Sequence, residues 1–151
     1  MTESVTTHPW RLKKRVLPQH TDHAGVMWHG SYVSWLEEAR VEALASAGMP
    51  YGRVSEEGYE MPVVRLELTY RHALAHGDLV TLESRALPRR GVRWPWESRF
   101  CLPDGTCAAE ATVELVLLRV ADGKRGVVRE APVALAEALA VLVRGEDRAA
   151  D

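Results

Sequence analysis

"HTDHAGVMWHGSYVSWLEEAR", residues 20–40, sets a loop crowded with titratable side chains directly before an amphipathic helix. The helical half decides the fold. Tyr32, Val33, Leu36, Ala39, Ala43, Leu44 and Ala47 recur at intervals of three and four, which places them along one face of a helix. Ser31 is the expected N-cap. Gly48 and Pro50 form the expected stop. Glu37, Glu38 and Glu42 fall mostly off the apolar stripe. A helix with such a stripe must cover another apolar face.

The flanking sequence supplies that face. "WRLKKRVL" (10–17) is expected to be a short strand that Pro18 ends. After the helix, "YEMPVVRLELTYRHA" (59–73) alternates Val64, Leu66, Leu68 and Tyr70 with Arg65, Glu67, Thr69 and Arg71, the period of a strand. "GDLVTLESRAL" (77–87) follows a turn at His76, Gly77 and Asp78. "VRWPWESRFCL" (92–102) places Trp94, Trp96 and Phe100 on even positions. Pro95 cannot donate to a ladder, so this strand is expected at a sheet edge or with a bulge there. "PDG" (103–105) is a tight turn, because Pro presets φ and Gly accepts positive φ. "TCAAEATVELVLLRV" (106–120) is the next strand, and "ADGK" another turn. "APVALAEALAVLVR" (131–144) is expected to be a terminal helix, with Pro132 in its first turn and Gly145 past its end. Consecutive strands joined by tight turns run antiparallel. The expectation is an α+β fold. One long helix is wrapped by an antiparallel sheet of about five strands, and a short C-terminal helix follows.

The 151 residues suit one domain, ordered over about residues 10–144. A net charge of −2 provides no basic field for nucleic acid. Cys101 and Cys107 flank the "PDG" turn and make no disulfide scaffold, which fits small apolar residues in a reducing, cytoplasmic compartment. "MTESVTTHPW" lacks the charged-then-apolar pattern of a leader. The longest apolar segment, 133–143, holds Glu137 and is too short to span a bilayer. "RGEDRAAD" (144–151) is expected to be a frayed, charged tail.

A helix wrapped by a curved antiparallel sheet and preceded by D-x-x-G resembles the hotdog fold. The local motif resembles the 4-hydroxybenzoyl-CoA thioesterase family of acyl-CoA thioesterases, which reads D-x-D-x-x-G-h-h-aromatic-x-x-N-Y before its helix. Asp22, Gly25, Trp28 and Tyr32 fall on that pattern, and 36–40 ("LEEAR") looks like the family's helix. His20 stands where the first carboxylate is usual, and Ser31 where Asn is usual.

The resemblance implies hydrolysis of an acyl- or aroyl-CoA thioester, and the residue types suit that chemistry. The reaction needs a group that attacks the carbonyl carbon or activates water, and donors where the carbonyl oxygen becomes negative. A helix N-terminus carries free N–H groups and a partial positive charge. By resemblance, Asp22 is the nucleophile or general base. The backbone N–H groups near His29 and Gly30 polarise the thioester, and the His29 side chain either takes part or supports. Gly25, Trp28 and Tyr32 are expected at the substrate. Arg89 and Arg90, in "PRRGVR" (88–93), match basic residues that meet CoA phosphates, a task suited to guanidinium forks. With sixteen Arg against three Lys in the chain, a plain polar hairpin is nearly as good an account of that pair.

Trp28, Trp35, Trp94 and Trp96 suit an acyl pocket or a core. Trp35 is expected away from the side of its helix that carries Val33 and Leu36. The spacing of His20, His23 and His29 matches no familiar zinc signature, so no metal is expected. No cofactor is expected beyond the CoA carried by the substrate, with acyl carrier protein as a further thiol carrier. The family's open sheet edges imply a homodimer or homotetramer with interfacial sites. A hydratase or dehydratase of the same fold, and a non-catalytic acyl-CoA-binding module, are the alternatives.

Overall fold

In a computed structural model that describes residues 9–145, the long helix α1 spans His29–Ser46, two residues ahead of the expected cap. Trp28 takes the N-cap position with extended backbone. Its N–H donates to the His20 carbonyl at 3.1 Å, so the chain is pinned to the preceding loop one turn earlier than a Ser31 cap would allow. Ser31 is buried within the first turn and its hydroxyl also donates to the His20 carbonyl, at 3.0 Å. The helix ends at Ala47, and Gly48 leaves it at φ +93°, a conformation that favours glycine. The expectations for residues 1–8 and for the tail after Gly145 lie outside the described residues.

The buried side of α1 is Ser31, Tyr32, Trp35, Leu36, Ala39, Arg40, Ala43 and Leu44. It differs from the expected stripe in particular places. Trp35 turns inward, edge-on to His20 at 5.2 Å and beneath the Lys14 ammonium, so it shares the buried side with Leu36. Val33 is 40% exposed at the rim. A period of 3.6 lets either i+3 or i+4 neighbours face the core, and the strand beside the helix makes the choice. Ala39 and Ala43, fully buried, let the helix lie close to the sheet.

That sheet has five strands: β1 Trp10–Arg15, β3 Val63–Tyr70, β4 Leu79–Ala86, β5 Arg93–Cys101 and β6 Cys107–Val116. Their order is β1-β4-β5-β6-β3, and every pairing is antiparallel. Leu82, Ala86, Trp96, Phe100, Ala109, Val113 and Leu115 face the helix. The buried hydroxyls of Ser84 and Ser98, a cross-strand pair, satisfy each other at 2.7 Å. Cys101 and Cys107 stand opposite each other as free thiols.

Pro95 lies in an interior strand, contrary to the expected edge, and the bulge falls at Phe100 and Cys101 instead. The Pro95 carbonyl accepts from the Leu87 N–H at 2.9 Å. The side of Pro95 that lacks an N–H therefore faces the residue just past the end of β4. An interior strand tolerates proline there because its neighbour has already ended.

Two segments go beyond the expected elements. Residues after α1 form a short helix, α2 (Tyr51–Glu56), capped by Pro50. The expected strand over 106–120 breaks at Leu117, where Leu115, Val116 and Leu117 are buried in succession and alternation fails. The chain then joins a second, small sheet of β2 (Tyr59–Glu60), β7 (Leu118–Ala121) and β8 (Lys124–Val127). Arg125 grips Glu60 across it at 2.9 and 3.2 Å. α3 (Val133–Arg144) closes the fold, with Pro132 at its N-cap and Gly145 in a left-handed C-cap. Leu135, Ala138 and Leu139 on α3 complete the core.

Candidate active site

The loop between β1 and α1 is built as a small hairpin. Thr21 bridges Met27 antiparallel, and the Asp22 N–H donates to the Val26 carbonyl at 2.9 Å. Gly25 turns the chain at φ +76°. The hairpin is fastened to the approach to β4: the Met27 N–H reaches the Leu74 carbonyl at 2.7 Å, and the His76 N–H reaches the Gly25 carbonyl at 3.0 Å.

Asp22 sits at the mouth of this hairpin, exposed. Its Oδ1 accepts the Ala24 N–H at 2.9 Å and the Val26 N–H at 3.3 Å, which fixes the plane of the carboxylate. Among the described residues Oδ2 accepts no hydrogen bond. The result is an oriented carboxylate with one oxygen free.

Two residues beyond Met27 the helix starts. The N–H groups of Trp28 and Ser31 are taken, at 3.1 and 3.0 Å, by the carbonyls of His20 and Trp28. Those of His29 and Gly30 have no partner among the described residues, and they carry the positive end of an 18-residue helix. Gly30 leaves room for its neighbour: a Cβ there would lie 2.2 Å from the far edge of the Trp28 indole, which would have to swing aside. The indole thus lies across the first turn, edge-on to the His29 ring at 5.1 Å, and remains 45% exposed.

Tyr32 lies below, only 2% exposed, edge-on to Tyr70 and Phe100 with both centroids at 5.0 Å. Burial pushes its hydroxyl up to about 12, Tyr70 adds to the rise, and a hydrogen bond with the Leu74 backbone opposes it. Tyr32 therefore anchors the helix start to the sheet as a neutral phenol. His20 accepts the Leu17 N–H through Nδ1 at 3.0 Å. Burial, then the Lys14 charge, hold its pKa below the ordinary histidine value. His23 and His29 are exposed. Among the described residues no three His, Cys, Asp or Glu converge as a metal site. Glu38 pairs with Lys14 at 3.0 Å, and Glu37 is exposed.

Asp22, Gly25, Trp28, His29, Gly30 and Tyr32 thus share one end of the sheet. Arg89 and Arg90 stand at the other. They occupy the β4–β5 hairpin, where Gly91 at φ +63° makes the tight turn between the mutually bonded Arg90 and Arg93. β4 runs from the loop end to this hairpin, about 23 Å at the usual rise of a strand. The Arg89 guanidinium lies over the Trp94 ring at 5.9 Å and donates to the Arg129 carbonyl. Arg90 is exposed.

One polar group escaped the sequence analysis. Arg40 is 7% exposed and lines a cavity of about 240 Å³ between α1, α2 and β3, with Val33, Leu36, Tyr51, Met61 and Leu66. The signal was there: Arg40 follows Leu36 by four and precedes Ala43 by three, within the apolar stripe.

The family model of the thioesterase-like superfamily matches residues 16–140. A putative esterase of Synechocystis sp. is 36% identical over 138 residues, 91% of this chain and 82% of that protein. The acyl-CoA thioester hydrolase YbgC of Escherichia coli is 26% identical over 112 residues, 74% of this chain and 84% of that protein. Among solved structures, a Staphylococcus aureus protein in complex with CoA superposes with a TM-score of 0.81 at 15% identity, covering 99% of this chain and 92% of that one. No helix among the described residues is long and apolar enough to cross a membrane.

Proposed function

The chain belongs to the thioesterase-like superfamily as a thioester hydrolase of hotdog fold, and from that premise we propose that it hydrolyses acyl- or aroyl-CoA thioesters to the free acid and CoA. The observation that carries the reading is the oriented Asp22 carboxylate, with one oxygen free, in the loop that leads directly into the open N–H groups of His29 and Gly30. The thioester carbonyl oxygen accepts from those N–H groups. Charge that develops on it in the tetrahedral intermediate meets the positive helix end. Asp22 attacks the carbonyl carbon or takes the proton of an attacking water. Trp28 and His29 flank the bound thioester, Gly25 allows the turn that presents Asp22, and Tyr32 holds the helix start in place. Release of free thiol from a panel of acyl-CoA thioesters tests the reading. No turnover of any member would end it.

The working unit is a homodimer or homotetramer. β3 is an edge strand with Val63, Val64, Leu66 and Tyr70 between 41% and 52% exposed, a liability in a lone subunit. A two-fold axis through that edge pairs β3 with its own copy, antiparallel. Gel filtration with light scattering is expected to return a dimer or tetramer at micromolar concentration. A monomer with full activity would remove the interfacial site. Arg89 and Arg90, at the far end of the sheet from Asp22 in the same chain, meet CoA phosphates at a site whose Asp22 belongs to another copy. Replacing both by Ala is expected to raise KM several-fold and spare kcat, with less effect at high salt. An unchanged KM would reduce them to a hairpin turn. The free thiols of Cys101 and Cys107 suit a reducing cytoplasm.

A further inference from the structure

Arg40 is more than nine-tenths buried, and its Nε has no hydrogen-bond partner among the described residues. None of the ion pairs among those residues includes it. The guanidinium donates to the Tyr51 hydroxyl, but that phenol brings no negative charge: it is neutral at ordinary pH, and burial raises its pKa further. A guanidinium cannot shed its proton to relieve burial. A buried charge without a counter-charge is costly, and the cost is relieved by a group that supplies one.

The cavity beside Arg40 shows what group fits. Val33, Leu36, Met61 and Leu66 make its walls apolar, and its 240 Å³ is below the range for a whole small-molecule ligand. It suits a ligand fragment with a hydrocarbon body and an anionic tip. Glu37 also lines the cavity, but its side chain is exposed and solvated and stands outside ion-pair distance of Arg40. The cavity lies against the Val63 half of β3, whereas Tyr70, at the other end of that strand, touches Tyr32 in the first turn of α1. Antiparallel pairing of β3 with its copy would therefore bring the partner's Asp22 toward this cavity.

We propose that this cavity receives the acyl group and that Arg40 binds a carboxylate at its far end, so that the favoured substrates are CoA thioesters of dicarboxylic acids. The proposal rests on the thioesterase reading and narrows its substrate class. The carboxylate takes the free Nε edge of the guanidinium, a geometry in which charge-assisted hydrogen bonds are strong.

The test compares chain-matched pairs on the wild-type protein: adipyl-CoA against hexanoyl-CoA, and suberyl-CoA against octanoyl-CoA. The dicarboxylic member is expected to be favoured at least about tenfold in kcat/KM, the scale of one charge-assisted contact. Arg40→Met, which keeps an unbranched apolar stem and removes the charge, is expected to abolish the preference, so that the two members of each pair are turned over with similar kcat/KM. Free adipate is expected to raise the wild-type melting temperature more than hexanoate does, a difference read without any variant or turnover. Hydrolysis without preference in the wild type overturns the proposal and leaves the thioesterase reading intact. An Arg40→Met protein that loses both substrate classes equally also overturns it, because Arg40 is then a structural or intersubunit group. If no thioester is turned over, the thioesterase reading fails, and the adipate shift alone decides whether Arg40 takes a carboxylate.

Discussion

Asp22→Asn is expected to lower kcat by at least about a hundredfold, the lower end of what a positioned acid–base group contributes. The substitution removes charge and basicity and little else. Oδ1 still accepts the Ala24 and Val26 N–H groups, so the hairpin mouth keeps its shape. The helix N–H groups and the arginine hairpin are untouched, so acyl-CoA affinity is expected to survive. The melting temperature is expected to move little, because Asp22 is exposed and buries nothing. An Asp that served only its own turn would give the reverse: unchanged turnover per folded molecule. Measuring kcat, substrate affinity and melting temperature on this one variant separates the two. Near wild-type kcat in a stable Asp22→Asn protein would falsify the mechanism.

The largest effect on stability is expected at Phe100. It is fully buried in the central strand β5, opposite Leu82 on one side and Ala109 on the other, and packs edge-on to Tyr32. Phe100→Ala is expected to cost about 3–5 kcal/mol, from lost transfer energy and the cavity left behind. At roughly 2–4 °C per kcal/mol, the midpoint of thermal unfolding falls by about 6–20 °C. Phe100→Leu, nearer in volume, is expected to lose much less. Denaturant unfolding of both variants provides the check. A loss below about 1 kcal/mol for Phe100→Ala would show that the Tyr32 layer repacks freely.

Much of this was legible in the sequence because period determines burial. The α1 helix, the strand period of β3 and the "PDG" and "ADGK" turns all follow from spacing and backbone preference, although β3 as an edge strand leaves Val64, Leu66 and Tyr70 exposed. The points that differed share a cause, since tertiary neighbours choose between options that local pattern leaves equal. Val33 and Trp35 both fit a helical face, and β1 with His20 drew in the tryptophan. Pro95 is admissible inside the sheet only because β4 stops one residue short of it, a fact about another strand. The break at Leu117 was visible as a run of apolar residues, but the small sheet it feeds depends on where β2 and β8 arrive. The components of the site were named by resemblance. Their separation into a loop end and a hairpin end needed the register of β4. Arg40 lies on the same stripe, but a lone charged residue adds nothing to an apolar period, and its burial depends on α2 and β3 closing over it.

The fastening of the Asp22 hairpin has a consequence for how the molecule matures. Met27 and Gly25 are held by Leu74 and His76, some fifty positions further along the chain. Helix α1 can form early from local contacts, but its N–H groups then have no oriented carboxylate beside them. Closing so long a stretch of chain must precede those bonds, and such closures come late in folding. A nascent chain therefore gains its helix first and the fixed orientation of the Asp22 hairpin only once the entry to β4 has been synthesised and docked. If the proposed site is the working one, an incompletely folded subunit holds the helix and the carboxylate without the arrangement that hydrolysis needs.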